Sequence, residues 1–512
     1  MIFISHNGTG VVDIEGISSE ESHGYVGKPV VPALLELAEC NPSSFICWYH
    51  ADLKGSIDRE NWERIFHHPR IMASYSSNRS QYMGPEIGYV EDTLFIKVNY
   101  EVPYPTWQMS SDVGGIHASV VNAYIKNGKK DSNFDYFLNS LAKTVMPEGL
   151  FCYSHPHLLK KDFSPIRQKI KTSGFKLFRF VREHYKTSWV LILFFNLLIY
   201  QKRIALAPLL YSLFFRSKKR SFQLEEIERN KNKQLTASID VVIPTIGRKE
   251  YLLDVLKDLA DQSLKPKRVI IIEQNPDANA ESALEYLYNR EWPFEIKHHF
   301  IHQTGACNAR NIALKEIENE WVFLADDDIR FPSDFFHKAF ENIYSLKAEA
   351  VTISCLRKGQ TETAKTARQW ISFGSGCSIL KTEIAKNTFF SMAFEHGFGE
   401  DTDYGMQLRN SGCDVLYLPS PSMLHLKAPI GGFRSKHEFP WDTDKISPKP
   451  SPTIMLYKMK YASPQQLRGY KTVLFFKYYS RQSIKNPFKY IAVMNKKWKH
   501  SKHWASKLME TE

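Results

Sequence analysis

The sequence predicts an α/β fold with a mainly parallel sheet in its second half, and two patterns support this. Apolar runs of strand length, at Ile239–Ile243, Val269–Ile272 and Trp321–Ala325, alternate with stretches whose apolar residues recur at helical spacing. Strands and helices that alternate in this way form mainly parallel sheets. Hydrophobic residues make up 43% of the chain and charged residues 24%, which is typical of a folded protein.

Chain length and local composition divide the sequence into four regions. At 512 residues the chain exceeds the size of one hydrophobic core, so we expect two or three domains. Residues 1–160 mix short apolar runs with turn residues and indicate a smaller α/β region. Residues 161–234 are basic and apolar and indicate a helical linker. Residues 235–430 contain the alternating strands and helices, and residues 431–512 indicate a helical C-terminal extension.

The formal net charge of +12 is compatible with nucleic acid, anionic lipid or phosphorylated ligands. The basic residues cluster beside apolar runs and do not follow a polar groove, so we expect no nucleic-acid partner. Seven cysteines are scattered without a CxxC pair, which disfavours a zinc site and favours a reducing compartment. The N-terminus lacks the basic and apolar segments of a signal peptide, and we therefore expect a cytoplasmic location.

The linker region contains two apolar runs, Ser188–Tyr200 and Ile204–Phe215, between clusters of lysine and arginine. Neither run reaches the roughly 20 apolar residues of a membrane-spanning helix, and Lys202 and Arg203 separate them. Apolar side chains flanked by positive charge suit helices that lie in an anionic membrane interface, which predicts a peripheral membrane contact through residues 167–220. A helical linker packed between two domains explains the pattern equally well.

Polar residues follow the first two strands of the second half. Pro244, Thr245 and Arg248 come at the end of the first strand, and Glu273 ends the second. Because ligands of open α/β sheets bind beyond the carboxyl ends of the strands, these residues are candidates for the mouth of a binding crevice. A strand–helix–strand unit is common, and these residues alone do not identify the ligand.

A glycine turn and a helix start follow in the stretch QTGACNARN. Gly305 provides the turn, and Asn308, Arg310 and Asn311 enter the helix. Unpaired backbone N–H groups at a helix start, together with an arginine, form a suitable environment for phosphate. Asn308 as a helix cap and Arg310 in a structural ion pair account for this stretch equally well.

Three consecutive carboxylates, Asp326, Asp327 and Asp328, follow the apolar run Trp321–Ala325. Adjacent carboxylates repel one another, and a hard divalent cation such as Mg²⁺ or Mn²⁺ would neutralise them with the help of phosphate oxygens. A nucleotide diphosphate at the preceding helix start would supply those oxygens. The alternative is a solvated loop whose aspartates cap the next helix.

Further candidates lie closer to the C-terminus. The small residues of Phe373–Leu380 form a turn that allows a ligand to approach the backbone closely. Glu400 and Asp401 begin an amphipathic helix, where a carboxylate either caps the helix or, when aimed into the crevice, acts as a general base. His425 follows a further strand and is a candidate metal ligand or phosphate contact, with a structural role as the alternative.

Together, the motifs PTIGR, IIIEQN, GACNARN, DDD and GEDTDYGMQLR resemble, in this order, the family 2 glycosyltransferases of the Rossmann-like GT-A fold. The resemblance covers roughly residues 238–427. It implies a nucleotide-diphospho-sugar donor, with a UDP-sugar expected, a divalent cation, Mn²⁺ or Mg²⁺, and transfer with inversion at the sugar carbon. The DxD pair of the family would hold the metal-bound diphosphate, and an aspartate would deprotonate the acceptor hydroxyl.

The motifs and the resemblance together assign roles to individual residues. We expect nucleotide-sugar binding at Pro244, Thr245, Arg248, Glu273, Gly305, Arg310, Asn311, Asp326, Asp327 and Glu400, metal binding at Asp326, Asp328 and His425, and catalysis at Asp401. Two departures from the family pattern are present. Glu273 stands where aspartate is usual, and Asp403 and Tyr404 replace the glutamate and leucine of the EDxEL pattern. Neither departure removes an expected metal ligand or the expected base.

The N-terminal region resembles a degenerate copy of the same domain. Three pairs of segments share strand, turn and helix patterns: 44–66 with 320–340, 110–120 with 373–380, and 134–160 with 402–427. In this first copy only Asp52 remains of the aspartate triplet, and no PTxxR strand or ARN turn precedes it. If the similarity is not a coincidence, we expect the first copy to have lost nucleotide binding and to serve acceptor binding or dimerisation.

The sequence therefore predicts a metal-dependent inverting glycosyltransferase that acts on a glycan or lipid-linked acceptor in surface polysaccharide synthesis, peripherally on the cytosolic membrane face. A sugar-phosphate nucleotidyltransferase is an alternative, but its glycine-rich basic first turn is only faintly matched by PTIGRKE. A non-catalytic glycan- or partner-binding protein on a decayed GT-A fold is the other alternative, and the intact Asp326, Asp328 and Asp401 argue against it.

Overall fold

The computed structural model describes residues 1–126, 131–167, 171–217, 222–227, 236–429 and 437–510. The predicted membrane-contact segment 167–220 lies outside these residues at 168–170 and 218–220. The chain forms two compact units: Met1–Ile227 with Tyr461–Ser483, and Glu228–Lys460 with Ile484–Glu512. The four-region division based on composition stays a prediction.

The first unit contains seven strands and eight helices in the described part of its N-terminal segment. The strands are β1 (Ile2–His6), β2 (Val11–Glu15), β3 (Phe45–His50), β4 (Ile71–Tyr75), β5 (Tyr104–Pro105), β6 (Val113–His117) and β7 (Phe151–Ser154). The helices are α1 (Ser19–His23), α2 (Val30–Cys40), α3 (Arg59–Ile65), α4 (Ala118–Ile125), α5 (Phe134–Val145), α6 (Gly174–His184), α7 (Ser188–Gln201) and α8 (Leu206–Ser212).

The elements that follow belong to the second unit, apart from one C-terminal helix. The strands are β8 (Ile239–Thr245), β9 (Arg268–Gln274), β10 (Glu295–Ile301), β11 (Trp321–Ala325), β12 (Ile329–Arg330), β13 (Ala350–Arg357), β14 (Arg368–Gln369), β15 (Cys377–Lys381) and β16 (Val415–His425). The helices are α9 (Lys249–Ala260), α10 (Ala306–Leu314), α11 (Phe335–Leu346), α12 (Thr382–Ala385), α13 (Glu400–Asn410), α14 (Pro452–Tyr461), α15 (Pro464–Tyr479) and α16 (Pro487–Glu510). The C-terminal helix that belongs to the first unit is α15.

The sheet of the second unit places the ends of its parallel strands at one edge. Its strand order is β10-β9-β8-β11-β15-β13-β16-β12, with β14 paired to β16. The four strands from β10 to β11 are mutually parallel, so the residues after β8 and β11 meet at the same edge. The helices α10 and α13 pack on this sheet through buried Ala309, Ala313, Tyr404 and Leu408. Burial of each large apolar side chain contributes about 1.5–3 kcal/mol to folding.

One charged residue in the core of the sheet has a structural explanation. Asp240 is fully buried in β8, where its neighbours are apolar. Its Oδ2 accepts hydrogen bonds from the backbone N–H groups of Glu318 and Asn319 at 2.6 and 2.9 Å, and its Oδ1 accepts one from the Asn319 side chain at 2.6 Å. A buried carboxylate with three donors is satisfied, and Asp240 therefore fastens the loop before β11 to β8.

The two sheets repeat the same pattern of strand pairing. In the first unit β1 pairs parallel with β3, β3 and β4 both pair antiparallel with β6, and β4 pairs parallel with β7. In the second unit β8, β11, β15, β13 and β16 take the places of β1, β3, β6, β4 and β7, with the same senses. A repeat of the domain requires strands that agree in order and direction, and five strands of the two units do so. Strand β1 takes in the first unit the position that β8 takes in the second.

The helical segment α6–α8 lies in the first unit, where it packs with α15. Asn196 of α7 is fully buried and accepts a hydrogen bond from Thr472 of α15 at 2.6 Å. The opposite side chains remain exposed, among them Leu191, Leu198 and Ile199. Among the described residues, no helix has both the length and the apolar character needed to cross a membrane.

Candidate active site

The ends of β8 and β11 bring a threonine and an arginine onto the middle aspartate of the triplet. The Thr245 hydroxyl donates to Oδ2 of Asp327 at 2.7 Å, and Nη1 of Arg248 donates to Oδ1 at 2.5 Å. Burial raises the pKa of Asp327 to about 6, although Arg248 and Thr245 act in the opposite direction. Asp327 is thus an internal anchor that orients Arg248, which also lies 3.5 Å from Oδ2 of Asp328.

The two outer aspartates and a histidine from the far end of the sheet form one cluster. Strand β12 directly follows the triplet and pairs Ile329 with His425, which brings the imidazole to the carboxylates. One ligand atom from each of Asp326, Asp328 and His425 lies within 4.8 Å of the others. Nε2 of His425 lies 3.3 Å from Oδ1 of Asp328, and this contact raises the pKa of His425.

The donor atoms of this cluster fit a divalent cation. Two carboxylates and one imidazole match the oxygen and nitrogen ligands that Mn²⁺ accepts, and Mg²⁺ takes the carboxylates. The Ala428 N–H donates to Oδ2 of Asp328 at 2.8 Å and fixes that side chain. Burial acts to raise the pKa of Asp328, but hydrogen bonds from His425 and Ala428 outweigh it, and the pKa falls below its ordinary value. Asp328 is therefore held as a carboxylate.

Arg310 of α10 approaches the same cluster from the neighbouring helix. Its Nη2 donates to Oδ1 of Asp326 at 3.2 Å, and its guanidinium lies 5.4 Å from the centre of the Phe390 ring. Arg310 is buried, while the Asp326 side chain keeps 39% of its surface exposed. A buried arginine that pairs with a half-exposed carboxylate leaves that carboxylate accessible to a ligand.

Asp326 lies directly against the backbone of a glycine. A Cβ atom added to Gly376 would stand 2.1 Å from Oδ2 of Asp326, far inside van der Waals contact. The Asp326 N–H also donates to the Gly376 carbonyl at 3.2 Å. The small-residue turn Phe373–Leu380, which the sequence predicts to admit a ligand, therefore admits the Asp326 carboxylate. Only glycine fits at Gly376.

Asp401 and Glu400 begin α13 beside this cluster. The Ser375 N–H donates to Oδ1 of Asp401 at 3.2 Å. Burial raises the pKa of Asp401, with Arg310 and Ser375 acting against it. Burial, followed by the charge of Asp401, raises the pKa of Glu400 to about 7. A carboxylate with a raised pKa is a stronger base than one with an ordinary pKa, so Asp401 can accept a proton from a hydroxyl.

The predicted phosphate site at the start of α10 is engaged by a side chain of the protein. Oε1 of Glu395 accepts from the Cys307 N–H at 3.1 Å, and Oε2 accepts from the Asn308 N–H at 2.8 Å. Gly305 donates its own N–H to Gln274 at 2.6 Å. The helix start binds an anion, as its N–H groups favour, and here the anion is a carboxylate.

Two predicted site residues have their side chains occupied by the fold. The Glu273 carboxylate accepts from Ser282 at 2.6 Å and from the Ala283 N–H at 3.0 Å. The Asn311 amide is paired on both sides with the backbone of Phe390, at 2.7 and 2.8 Å. The structure gives both residues a positioning function, and their assignment to nucleotide binding stays a prediction.

A cavity of about 360 Å³ is lined by eight of the predicted site residues, and Asp328, Asp401 and His425 are not among those that line it. Of the predicted site residues, those that line it are Pro244, Thr245, Arg248, Gly305, Arg310, Asp326, Asp327 and Glu400. The lining also includes residues that the sequence did not single out: Phe394, Glu395, His396, Phe398, His437 and Phe439. The local sequence of these aromatic residues does not distinguish them from core residues. Only the tertiary structure brings His437 and Phe439 to the crevice.

One family model and several solved structures match this chain. The family model of glycosyl transferase family 2 matches residues 240–399. No curated protein matches the sequence. Residues 1–349 of S. aureus TarS in complex with UDP are 19% identical, with a TM-score of 0.33, over 38% of this chain and 61% of that chain. The same protein in complex with UDP-GlcNAc is 16% identical, with a TM-score of 0.36, over 50% and 79%.

A mannosyltransferase, PcManGT from Pyrobaculum calidifontis in complex with GDP-Man and Mn²⁺, is 13% identical, with a TM-score of 0.33, over 56% of this chain and 88% of that chain. The match to the UDP complex of TarS spans about three fifths of the TarS chain. The family match places the strand β8, the helix α10, the aspartate triplet and Gly399 within one domain. Residues 240–399 therefore belong to glycosyl transferase family 2, and the unit that contains them has the GT-A fold.

Proposed function

We propose that this protein transfers a sugar from a nucleotide-diphospho-sugar, with a UDP-sugar as the expected donor, to a hydroxyl group of an acceptor, with inversion. The observation that carries the proposal is the single cavity in which Thr245, Arg248, Arg310, Asp326 and Glu400 converge. The cavity volume of about 360 Å³ lies within the range of small-molecule sites. The family match to residues 240–399 supports a nucleotide-sugar as the donor.

A divalent cation, Mn²⁺ or Mg²⁺, would be held by Asp326, Asp328 and His425. When bound, it would offset negative charge on the diphosphate leaving group. The residues of the chain supply the rest of the electrostatics. Arg310 and Arg248 place two guanidinium groups next to the aspartates, and both are held by ion pairs. Charges that are fixed before the substrate arrives require little reorganisation during the reaction.

Asp401 is the proposed general base. Its carboxylate is partly buried, and the Ser375 N–H holds Oδ1, which leaves Oδ2 to accept a proton. Removal of the acceptor proton by one carboxylate, without a covalent enzyme intermediate, is a single displacement and inverts the sugar carbon. Glu400 lines the cavity beside Asp401 and is proposed to contact the sugar or the acceptor.

We further propose that the acceptor is a glycan or a lipid-linked glycan of surface polysaccharide synthesis, and that the protein works peripherally on the cytosolic membrane face. Exposed apolar side chains on α7 and α8, including Leu191, Phe195, Leu206 and Leu210, support a membrane contact. The basic residues on either side of these helices suit anionic lipid headgroups.

A nucleotide-sugar panel with and without Mn²⁺ tests the proposal. Thermal shift and sugar release are measured on the full chain and on two variants. Asp328→Asn should lose metal-dependent nucleotide binding, because a metal ligand loses its charge. Asp401→Asn should keep nucleotide binding and lose transfer by a factor of 10² or more, since general-base catalysis typically contributes about 10²–10⁴-fold.

The matched control is Asp261→Asn, which removes the same charge at an exposed position away from the cavity. It should behave as the unmodified protein in both assays. The proposal fails if no nucleotide-sugar stabilises the unmodified protein with either cation, or if Asp401→Asn retains full transfer.

A further inference from the structure

The cavity has two chemically different walls. The wall formed by β8, α10 and the triplet carries the cationic and anionic groups described above. A second part of the lining, the aromatic wall, carries a run of aromatic rings from His396, Phe398, His437 and Phe439. The faces of aromatic rings suit apolar or planar surfaces of a ligand, so we expect a part of the substrate other than its phosphates to face them.

The rings of this wall are ordered by contacts with one another. His396 and His437 stack with their centroids 4.1 Å apart and their planes 18° from parallel. Phe439 stacks on the buried Trp441 at 4.6 Å and 9° and meets the His437 ring edge-on at 4.8 Å. The stacked series therefore extends from the protein interior to the cavity, and its contacts hold the rings in fixed orientations.

His396 is held in an unusual backbone conformation at this place. Its φ is +59°, in the left-handed region that a side chain with a Cβ atom rarely adopts. The His396 N–H donates to Glu395 at 3.3 Å, which ties it to the carboxylate at the start of α10. Backbone strain of this kind persists where the surrounding contacts impose it, and it clusters at functional sites. Burial also lowers the pKa of His396, so its ring is uncharged at neutral pH.

The charge on this wall selects against anionic ligands. Among the described lining residues, the aromatic wall carries two carboxylates, Glu395 and Glu400, and no lysine or arginine. Glu395 is already engaged by three backbone N–H groups. Glu400 stands next to the proposed base Asp401, so the wall lies where an acceptor hydroxyl must arrive.

Resting on the proposed function, we propose that His396, His437 and Phe439 form the acceptor subsite and that it binds an uncharged pyranose ring. The C–H face of a pyranose packs on aromatic faces, while its hydroxyl groups remain free to reach Glu400 and Asp401. A linear polyol phosphate has no flat apolar face and would bring its charge close to the carboxylates. The subsite therefore selects a saccharide terminus over a polyol phosphate.

Saturation-transfer NMR on the full chain tests this inference in the presence of UDP and Mn²⁺. The probes are methyl β-D-glucopyranoside, methyl β-D-galactopyranoside and methyl N-acetyl-β-D-glucosaminide, with ribitol and glycerol 3-phosphate as linear comparisons. We expect transfer to the ring protons of at least one pyranoside. Phe439→Ala and His437→Ala should each weaken that binding by about 5- to 10-fold, as the loss of one aromatic contact does.

The control is Phe488→Ala, because Phe488 is 82% exposed on α16 and does not line the cavity. It should leave pyranoside binding unchanged. UDP binding, followed by thermal shift, should be equal in all variants, which separates this inference from the proposed function. The inference is overturned if UDP binds but no pyranoside does, if the linear compounds bind at least as tightly, or if Phe439→Ala has no effect. Absence of UDP binding would overturn the UDP-sugar as the donor of the proposed function, and the pyranoside signals would then decide this inference separately.

Discussion

The backbone N–H of Ser111 donates to Oδ1 of Asp135 at 3.2 Å, and the N–H of Ser375 donates to Oδ1 of Asp401 at the same distance. Asp135 is the second residue of α5, and Asp401 is the second residue of α13. Both serines lie just before corresponding strands, β6 and β15. The first unit thus has a carboxylate at the position that the proposed base, Asp401, occupies in the second unit.

What the first unit lacks is the space around this carboxylate. The cavity beside Asp135 measures about 30 Å³, against about 360 Å³ for the cavity of the second unit. His50 and Ala51 stand where Asp326 and Asp327 stand in the second unit, and Asp52, which takes the place of Asp328, is 73% exposed at its side chain. Burial of this carboxylate disfavours its charged form, so its charge is an energetic cost to the fold.

Asp135→Asn should therefore stabilise the protein at neutral pH. Burial raises the pKa of Asp135 to about 6 from 3.8, so between these values the folded state binds more protons than the unfolded state. The contribution of Asp135 to the free energy of unfolding is therefore most favourable below pH 3.8. As the pH rises through 6, the free energy of unfolding falls by on the order of 3 kcal/mol. Thermal unfolding of both proteins from pH 4 to 8 measures this.

The asparagine Oδ1 can accept the same hydrogen bond from Ser111, so the substitution removes the charge and little else. The gain in melting temperature should be absent near pH 4 and largest above pH 6. Asp162→Asn, at an exposed position of the same unit, is the control and should give no pH-dependent difference. Equal stability of Asp135→Asn and the unmodified protein at pH 7.5 would contradict the prediction.

Gly376→Ala should weaken metal and nucleotide binding without unfolding the second unit. The added Cβ would stand 2.1 Å from the Asp326 carboxylate, which must then rotate away from Asp328 and His425. We expect a loss of Mn²⁺-dependent nucleotide binding of tenfold or more, read by calorimetric titration. Gly55→Ala serves as the matched control, because no atom lies within 4 Å of its added Cβ. Unchanged binding in Gly376→Ala would contradict the prediction, because metal and nucleotide binding would then not depend on the present position of the Asp326 carboxylate.

Much of the fold could be predicted from the sequence because the strands of the second unit are unbroken apolar runs. The position of the triplet after β11 followed directly, since a strand end fixes where the next residues lie. The aromatic wall could not be predicted, because His437 and Phe439 reach the cavity only through contacts distant in sequence. The same holds for Glu395, whose partners Cys307 and Asn308 lie far from it in the chain.

The repeat shows how a local match misleads by a few residues. Pairing segment 134–160 with 402–427 aligns Asp135 with Asp403, because a tyrosine follows each of these aspartates. The structure pairs Asp135 with Asp401 instead, since only the second residue of each helix meets the serine N–H. Asp403 is buried and paired with Lys460 at 2.9 Å. Tertiary contacts, and not the neighbouring residue types, set the correspondence.

The rate of sugar transfer should fall on acidification at a higher pH than an ordinary aspartate would give. Asp401 must be ionised to accept a proton, and burial raises its pKa, so the acid limb of the rate profile moves upward. Glu400→Gln removes a neighbouring negative charge and should move this limb to lower pH. Glu383→Gln, whose side chain is 73% exposed, should leave the limb in place. A limb that does not move in Glu400→Gln would mean that the two carboxylates do not titrate together.

Glu395→Gln should destabilise the second unit and weaken nucleotide binding together. The carboxylate accepts from the N–H groups of Cys307, Asn308 and His396, and its charge favours the positive end of α10. A neutral amide keeps one acceptor oxygen, so we expect a loss of about 1–2 kcal/mol, comparable to the loss of a charged helix cap. Because Arg310 lies on α10, nucleotide affinity should fall as well.

Urea unfolding and calorimetric titration measure the two effects, with Glu291→Gln as the exposed control. A variant that loses affinity at full stability would place Glu395 in contact with the nucleotide itself.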